Sequence, residues 1–353
     1  MTSPNALMLV SARVDETLRH EVANDKRPRP EYLVLEASHG VDLLDWSRVP
    51  GANGAGGRSK VRSAAHVAAA LRQARTHSVI LSDGEHVGIP LAWALRGLGI
   101  ANPHLVIGHH LTTPVKSPLM RHLGAHEGMT RILVHSNMQL MLAQRDLGVP
   151  AAKLAFIHYY ADAAFWHPVD RPEERLVVTA GREHRDFVTL AGACSDVAAR
   201  VVVAAGSVHS PGSDVRLPAG WPPNFELRFE SYPALRDLYS RASVVVVPLV
   251  ETDFQAGVTT MLEAMAMGKA VIATATSGQS GVVRDGVTGL SVPPNDPAAL
   301  KRAITTLLDS PAERRRLGSA ARKAVIAEFS VEGYARQLAE HMEDLAASHL
   351  AVA

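Results

Sequence analysis

The 353-residue sequence has almost no cysteine, no excess of charge of either sign and no long apolar run. Its one cysteine, Cys194, excludes an intramolecular disulfide, and the opening MTSPNALMLV lacks the charged region and long apolar core of a secretory signal. The most apolar stretch, SVVVVPLV at 243–250, is well short of the roughly 20 residues that cross a bilayer. We therefore expect a soluble, cytoplasmic protein whose membrane contact is at most peripheral.

Positive and negative charges are balanced, with 36 Lys and Arg residues against 35 Asp and Glu. No net field attracts nucleic acid, so recognition has to come from local sites. Among 17 histidines, His122 and His126 have the i, i+4 spacing of a helix face, but no HExxH motif or cysteine cluster accompanies them. We expect neither a nucleic-acid partner nor a metal ion, and no feature of the sequence indicates an oligomeric state.

Short apolar runs alternate with amphipathic segments along the whole chain, and its length suggests two domains. Runs without polar alternation are typical of strands buried on both faces. The predicted strands are 6–10, 31–35, 78–82, 104–108, 131–135, 176–180, 200–205, 226–229, 243–247 and 270–274. The predicted helices are 60–75, 87–98, 136–147, 233–241, 257–267, 297–309 and 311–328. Strand-helix-strand units repeated in this way form parallel α/β sheets, and the series occurs twice.

The two series meet in HYYADAAFWHPVDRPEERL, near 158–175, which we interpret as the linker between domains. We place the first domain at 1–168 and the second at 169–330, followed by a helical tail at 331–353. The Gly- and Pro-rich stretches 51–57 and 209–224 are predicted as loops. Ligands of open α/β sheets bind beyond the carboxyl ends of the strands, so the chemistry is expected in the loops that follow strands.

One segment carries a specific pattern: residues 239–296 read YSRASVVVVPLVETDFQAGVTTMLEAMAMGKAVIATATSGQSGVVRDGVTGLSVPPND. A tyrosine near a helix end, a strand ending in proline, a helix with Glu-Ala-Met-Ala, Gly-Lys, a new strand and an Asp-Gly-x-x-Gly turn follow in order. The segment resembles the family-4 glycosyltransferases, the retaining "glycosyl transferases group 1", and a weaker similarity continues over 307–330. The resemblance implies the GT-B fold: two facing Rossmann-like, doubly wound domains with a cleft between them. It also implies an acceptor-side N-terminal domain, a C-terminal domain that binds the nucleotide sugar, and a tail helix at 331–353 that returns to the N-terminal domain.

The same segment can be interpreted from its residues alone. A strand ends at Pro248, a loop follows, and a helix begins near Val258, whose free N–H groups and dipole favour an anion such as a diphosphate. Gly257 lets the backbone approach a ligand closely, and Thr259 offers a hydroxyl in the first turn. Glu263, in the second turn, can accept hydrogen bonds from the vicinal hydroxyls of a ribose.

The resemblance implies two glutamates separated by seven residues, the second on the ribose and the first near the sugar. Glu263 matches the second, and Gln255 stands at the first position. A neutral amide cannot act as a carboxylate nucleophile, so retention requires attack on the front face, with the leaving phosphate helping to deprotonate the acceptor. Gln255 and Ala256 are predicted to bind the donor. Glu251 and Asp253 lie close by, and the sequence leaves open whether either substitutes for the missing acid.

A departing nucleoside diphosphate needs fixed positive charge, and GT-B enzymes resemble the case in which no metal supplies it. After the strand LVVTA comes GREHRDF, where the family has glycine-arginine followed by a lysine. Arg182 and Arg185 are the candidates, Arg185 preferred because its Arg-Asp pair opens the next helix, and arginine can hold phosphate oxygens bidentately. The resemblance places the nucleobase near Glu230 and Tyr232, and the loop at 277–281 is a second candidate for ligand contact.

In the N-terminal half, the strand HLVIG ends at His109 and His110, and the resemblance implies a histidine near the reacting sugar, best matched by His109. Asp83, Glu85 and His86 follow another apolar strand and, together with His110, are acceptor-side candidates. Helix capping explains Asp83 and Glu85 equally well. The family's glycine pair after the first strand is absent, which leaves the N-terminal contact with phosphate or acceptor open.

These features predict a metal-independent, retaining glycosyltransferase that moves a sugar from a nucleoside diphosphate sugar to a hydroxyl acceptor, either a secondary metabolite or a glycan. No cofactor beyond this co-substrate is expected. Gln255 and the missing glycines leave a catalytically silent nucleotide-sugar-binding protein as the alternative. A dinucleotide-dependent oxidoreductase is disfavoured because no GxGxxG follows an early strand. The sequence does not identify the sugar, the base or the acceptor.

Overall fold

The structure, a computed structural model, describes residues 5–49, 59–205 and 220–351, and their side chains except those of 59–61 and 350. The predicted loop at 51–57 and most of the predicted loop at 209–224 lie outside these residues. The chain divides into two compact units. Unit 1 comprises Met1–Ala23, Arg29–His158 and Val331–Ala353, and unit 2 comprises Asn24–Pro28 and Tyr159–Ser330.

Unit 1 contains a six-stranded parallel sheet in the order β2-β1-β3-β4-β5-β6. Its strands are β1 (Ala6–Val10), β2 (Asp42–Asp45), β3 (Val79–Ser82), β4 (His104–Gly108), β5 (Arg131–Val134) and β6 (Leu154–Phe156). Its helices are α1 (Glu16–Ala23), α2 (Glu31–His39), α3 (Ser59–Gln73), α4 (Glu85–Gly97), α5 (Lys116–Arg121) and α6 (Asn137–Arg145). Because β3 and β4 are neighbours, the loops that follow them meet at one edge of the sheet.

Unit 2 also has a six-stranded parallel sheet, in the order β12-β11-β10-β7-β8-β9. Its strands are β7 (Leu176–Ala180), β8 (Arg200–Ala204), β9 (Phe225–Arg228), β10 (Val244–Val247), β11 (Val271–Thr274) and β12 (Leu290–Val292). Its helices are α7 (Phe187–Cys194), α8 (Tyr232–Arg241), α9 (Val258–Ala266), α10 (Pro297–Asp309) and α11 (Pro311–Glu328). The chain ends in α12 (Val331–Leu350), which packs on α2 and β3 of unit 1.

Apolar side chains cover both faces of each sheet, as expected for strands that read as uninterrupted apolar runs. In unit 2, Val178 and Val245 join the core formed with α9 and α11, whereas Val177 and Val244 join the core formed with α7 and α10. The inner strands are fully buried. The predicted class of two Rossmann-like, doubly wound α/β domains is confirmed.

The predicted strand at 31–35 is wrong, because these residues lie in helix α2. A short buried apolar run does not distinguish a strand from a buried helix turn, and here the flanking residues decide. Pro30 precedes the helix, and Gly40 ends it with a left-handed φ of 65°. The strand that occupies this place in the sheet is β2, whose sequence DLLD begins and ends with a charge. The short strands β6 and β12 were also not predicted.

The two units divide after His158, so the predicted domain boundary at 168 lies inside unit 2. The aromatic residues of the predicted linker explain the difference. Phe165 and Trp166 are buried in the core of unit 2, where the Trp166 ring lies 5.8 Å from the ring of Tyr239. Aromatic residues of this size contribute large buried areas, which makes the segment part of a domain core.

Candidate functional site

The loops after β7 and β10 are held together by their own backbone. The N–H of Asp186 donates to the carbonyl of Pro248 at 3.0 Å, and the N–H of Val250 donates to the carbonyl of His184 at 3.1 Å. Asp186 then caps α7 by accepting the N–H of Thr189 at 2.9 Å, as the Arg-Asp pair predicted. The residue before the cap, Arg185, is thereby directed toward the start of α9.

Helix α9 begins at Val258, and its N-cap residue, Gly257, has a left-handed φ of 71°. A Cβ at Gly257 would lie 2.7 Å from Cγ1 of Val247 and 3.2 Å from Nη1 of Arg185, so only glycine fits without displacement. No side chain caps this end of the helix. Its first-turn N–H groups and the positive end of the helix dipole therefore favour an anion at this position. The predicted start of the helix is confirmed.

Arg185 lies against this helix end. Its guanidinium donates to the carbonyls of Ala180 and Glu183 at 3.0 and 2.9 Å and to the Thr260 hydroxyl at 3.0 Å. A Cβ on Gly181 would lie 2.7 Å from Nη2 of Arg185, so two glycines enclose the group. Three of its five N–H donors are used, which leaves two for a ligand. Burial lowers the pKa of Arg185 to about 10, so the side chain stays charged near neutral pH.

Glu263 is buried, with only 8% of its surface exposed. Within the described ranges, neither a backbone N–H nor a cationic side chain donates a hydrogen bond to its carboxylate. The carboxylate interacts with the Tyr239 hydroxyl, which has no partner of normal hydrogen-bond geometry among these residues, and with the charge of Arg185. Burial raises the pKa of Glu263 to about 8 despite these two neighbours. A buried acid with so few donors in its surroundings can accept further hydrogen bonds from a ligand.

Gln255 is a second unsatisfied group next to the start of α9. Only 7% of the residue is exposed, and its amide nitrogen has no hydrogen-bond partner in the part of the chain that the structure describes. Glu251, one of the two acids considered as a substitute, accepts the N–H of Ser277 at 2.8 Å and so holds a neighbouring loop. Gln255 therefore remains the residue at the predicted sugar position.

The candidate loop at 277–281 is attached to the loop before α9. The N–H of Gly278 donates to the carbonyl of Thr252 at 2.8 Å, and the side chain of Gln279 donates to the carbonyl of Ala256 at 2.9 Å. A Cβ on Gly278 would lie 2.2 Å from the carbonyl oxygen of Phe254. The two loops therefore pack closely against each other beside the start of α9.

The structure brings some predicted donor residues together and separates others. Arg185, Gly257 and Glu263 converge at the start of α9, and they are contacted by Tyr239 and Thr260, which were not among the predicted site residues. Both are distant in sequence from Arg185, and no local pattern indicates the contact. Thr259, the predicted hydroxyl, is exposed, whereas Thr260 is buried against the arginine.

Three other donor candidates belong to the same unit. Arg182 is half-buried in the loop after β7. Glu230 follows the edge strand β9, where it forms an ion pair with Arg228 at 3.6 Å. Tyr232 begins α8, and its ring packs against Trp166 at 6.2 Å. The residues predicted near the nucleobase therefore lie at the carboxyl end of the sheet, two strands away from β7.

In unit 1 the candidate residues surround the carboxyl ends of β3 and β4. The carboxylate of Asp83 accepts the hydroxyl of Ser11 at 2.7 Å and also its backbone N–H. Asp83 therefore binds the end of β1, and it does not cap α4, whose N-cap is Gly84 without a side-chain bond. The capping explanation of Asp83 is wrong because its carboxylate has closer donors in another loop.

Glu85 is 3% exposed and accepts the N–H of His110 at 2.7 Å, while Lys116 lies 3.4 Å from the same oxygen. Burial opposes its ionisation, but His109, Lys116 and the His110 N–H outweigh burial and leave the pKa of Glu85 below its usual value. His109 and His86 are exposed, and the His109 ring lies 5.6 Å from that of His135. Burial, together with nearby His109, lowers the pKa of His135 to about 3, so His135 is neutral.

Two kinds of feature, a membrane-spanning helix and a cluster of metal ligands, are absent from the described ranges. No helix there has the length and apolar character needed to cross a bilayer. No group of three or more His, Cys, Asp or Glu side chains there is arranged to hold a metal ion.

Two parallel six-stranded sheets with helices on both faces define a two-domain Rossmann-like protein with the GT-B fold. The chain matches sucrose-phosphate synthase from Thermosynechococcus elongatus with a TM-score of 0.74 at 22% identity, over 98% of this chain and 100% of that one. It matches Anabaena HepE in complex with UDP-glucose with a TM-score of 0.69 at 16% identity, over 97% and 100%. These similarities establish the fold.

A family match is more specific: residues 225–324 match the model of the glycosyl transferases group 1. The chain carries a group 1 glycosyltransferase domain. It is 26% identical over 253 residues to D-inositol 3-phosphate glycosyltransferase 1 of Catenulispora acidiphila, over 64% of this chain and 60% of that protein. It is 40% identical over 89 residues to the D-inositol 3-phosphate glycosyltransferase of Kribbella flavida, over 25% and 20%. The matched region thus covers less than two thirds of either relative.

Proposed function

We propose that this protein transfers a sugar from a nucleoside diphosphate sugar to a hydroxyl acceptor, with retained configuration and without a metal ion. The observation that carries the proposal is the start of α9. An uncapped helix end, an enclosed arginine with two unused N–H donors and a buried, poorly compensated Glu263 lie together there. A diphosphate supplies acceptors for the first two, and a ribose diol supplies donors for the third.

The proposed reaction assigns a step to each of these groups. Arg185 and the α9 N–H groups balance the negative charge that develops on the diphosphate as the bond to the sugar breaks. The amide of Gln255 donates to an oxygen of the sugar and cannot form a glycosyl-enzyme ester. The departing phosphate takes the acceptor proton while the acceptor attacks the same face. His109 in unit 1 hydrogen-bonds a hydroxyl of a reacting substrate.

Titration with UDP, GDP, ADP and dTDP, each alone and as a sugar conjugate, tests the donor site. Glu263→Ala should weaken binding of the preferred nucleotide roughly 30-fold, because the variant loses two hydrogen bonds that contribute about 1 kcal/mol each. Glu313→Ala, which removes a half-buried acid of α11 paired with Arg316, is the matched control and should bind normally. Unchanged affinity of the Glu263 variant would contradict the site.

A transfer assay with EDTA present tests the reaction itself. UDP-glucose and D-inositol 3-phosphate are the first donor and acceptor to try, since the names of structural neighbours and relatives contain them. NMR of the product should show retained anomeric configuration, and inversion would contradict the proposed mechanism. Nucleotide binding without transfer to any acceptor in a broad panel would favour the alternative of a silent binding protein, which Gln255 keeps open.

A further inference from the structure

Residues 109–113 form the loop that follows β4, which we call the β4 loop. The charged side chains of Glu85 and Lys116 hydrogen-bond to its backbone. Glu85 accepts the His110 N–H at 2.7 Å, and Lys116 donates to the His110 carbonyl at 3.0 Å. The two side chains also form an ion pair at 3.4 Å. The N–H and the carbonyl of one loop residue are thus bonded to buried Glu85 and half-buried Lys116, which fixes the peptide plane on each side of His110.

A buried amide holds the next two residues of the β4 loop. Oε1 of Gln139 accepts the Leu111 N–H at 2.9 Å, and its Nε2 donates to the Thr112 hydroxyl at 3.0 Å. Gln139 is 1% exposed and lies in α6, so its backbone position is set by a separate element. Burying an amide is unfavourable unless its polar atoms are bonded, and these bonds are made to this loop.

The ring of His109, the first residue of the β4 loop, has a defined orientation. Its Nε2 lies 2.9 Å from the backbone carbonyl oxygen of Asp83. A carbonyl oxygen only accepts hydrogen bonds, so Nε2 carries the proton and donates. In the neutral ring Nδ1 is then an acceptor. The exposed ring therefore presents a hydrogen-bond acceptor at the edge of the sheet.

We propose that Glu85 and Gln139 are positioning residues that fix the β4 loop so that Nδ1 of His109 accepts a hydrogen bond from a substrate hydroxyl. The proposal rests on the proposed function, because it requires a hydroxyl-bearing substrate at this edge. It also changes the role of Glu85, which was predicted as an acceptor-side residue and now positions the loop. At 3% exposure, with its oxygen bonded to His110 and Lys116, Glu85 acts through the loop.

A double-mutant cycle on the full-length chain measures this connection. His109→Ala and Glu85→Ala should each lower kcat/KM, by up to about 100-fold if the reacting groups shift by roughly 1 Å. The double variant should be no slower than His109→Ala, because Glu85 acts through that ring. Glu85→Gln keeps an oxygen for the His110 N–H and should restore most of the activity. Effects that multiply in the double variant, or a Gln variant as slow as the Ala variant, would overturn the proposal.

Controls separate positioning from loss of fold. Glu127→Ala removes an exposed acid of unit 1 paired with Arg96 and should leave kcat/KM unchanged. Gln139→Leu keeps a side chain of similar size and removes the second contact to the β4 loop. Combined with His109→Ala, it should be no slower in kcat/KM than His109→Ala alone. This pair provides the test even if Glu85→Ala does not fold. Nucleotide affinity should be unchanged in every folded variant. Lost nucleotide affinity in folded Gln139→Leu would overturn a role confined to the β4 loop.

A spectroscopic measurement tests the orientation without relying on transfer. Nitrogen-15 NMR of the His109 ring, at a pH where the ring is neutral, should show the proton on Nε2 in the parent chain. Glu85→Gln should keep this tautomer, whereas Gln139→Leu should broaden or shift the signal. A proton on Nδ1 in the parent would overturn the proposal while leaving the donor site of unit 2 untouched.

Discussion

Two buried glutamates, one in each unit, have opposite electrostatic environments. Glu85 in unit 1 and Glu263 in unit 2 are 3% and 8% exposed. Each lies within the first two turns of a helix that no side chain caps. The pKa of Glu85 is lowered although burial opposes this, whereas burial raises the pKa of Glu263 to about 8. Burial alone therefore does not explain the difference between them.

The difference comes from nearby basic groups and hydrogen-bond donors. Glu85 lies near His109 and Lys116, which favour its ionised form, and it accepts the His110 N–H. Glu263 has a poorly oriented Tyr239 hydroxyl and the charge of Arg185, whose N–H groups are directed elsewhere. The environment of Glu85 is complete within the protein, so its role is to hold structure. The environment of Glu263 is incomplete, which is the arrangement expected where a ligand supplies the missing donors.

The largest expected effect tests whether Arg185 belongs to the incomplete site. Arg185→Met removes the charge and the two unused N–H donors while keeping an apolar stem. We expect roughly 100-fold weaker binding of the nucleoside diphosphate, because each charge-assisted hydrogen bond contributes about 1.5 kcal/mol or more. Binding of the nucleoside alone should change little. Calorimetric titration of both ligands measures the two affinities.

Arg182→Met is the control for Arg185, since it removes the other predicted arginine of the same loop. Its effect on diphosphate affinity should be clearly smaller, because Arg185 is the arginine that lies between Gly181 and Gly257 at the start of α9. Equal losses for nucleoside and nucleoside diphosphate in Arg185→Met would show a disturbed fold and would remove Arg185 from the phosphate site.

A smaller effect on nucleotide affinity is expected when the backbone at the start of α9 is strained. Gly257→Ala places a Cβ 2.7 Å from Val247 at a φ of 71°, and such strain costs on the order of 1–3 kcal/mol. Nucleotide affinity should fall about tenfold as the helix end and Arg185 shift. Gly286→Ala is a matched control, because Gly286 has a φ of 67° with nothing within 4 Å of the added Cβ. It should lower the unfolding temperature slightly and leave affinity unchanged; equal affinity losses would contradict a local role of Gly257.

The elements around the candidate donor site could be predicted from the sequence because their signal is local. A strand ending at Pro248, then Gly257, then a helix with Glu263 are contiguous in the chain, and the structure places them as predicted. Asp186 as the cap of α7 follows from the same kind of short-range pattern. Alternating strands and helices likewise indicated both sheets, although the short strands β2, β6 and β12 were not predicted and the apolar run 31–35 lies in a helix.

The partners of these residues could not be predicted, because they come from distant parts of the chain. Tyr239 is 24 residues before Glu263, and Thr260 is 75 residues after Arg185. Glu85 shows the same limit, since its partner His110 follows the next strand and is 25 residues away. The sequence placed Glu85 at the correct sheet edge, but its role depends on which donors the fold brings to it.

The comparison of the two glutamates also predicts opposite pH effects on stability. The folded-state pKa of Glu263, about 8, lies above the ordinary value of 4.5. The folded state therefore holds more protons between these values, and stability falls as pH rises through this window. Glu263→Gln should remove that fall, so its unfolding temperature should exceed the parent's at pH 9 by more than at pH 5. Scanning calorimetry of the ligand-free chain measures this, and parallel curves for parent and variant would contradict the unsatisfied carboxylate.

Glu85 should give the smallest effect, with the opposite sign. Its folded-state pKa lies below the ordinary value of 4.5, so the unfolded chain binds the proton more readily. The stability that Glu85 contributes is present above that ordinary value and is lost as pH falls through the folded-state pKa. Glu85→Gln should therefore flatten the acid side of the profile and leave the region near pH 8 unchanged, as calorimetry between pH 3 and 9 would show. A change on the alkaline side instead would mean that Glu85, like Glu263, lacks the donors it needs, and the contrast between the two units would fail.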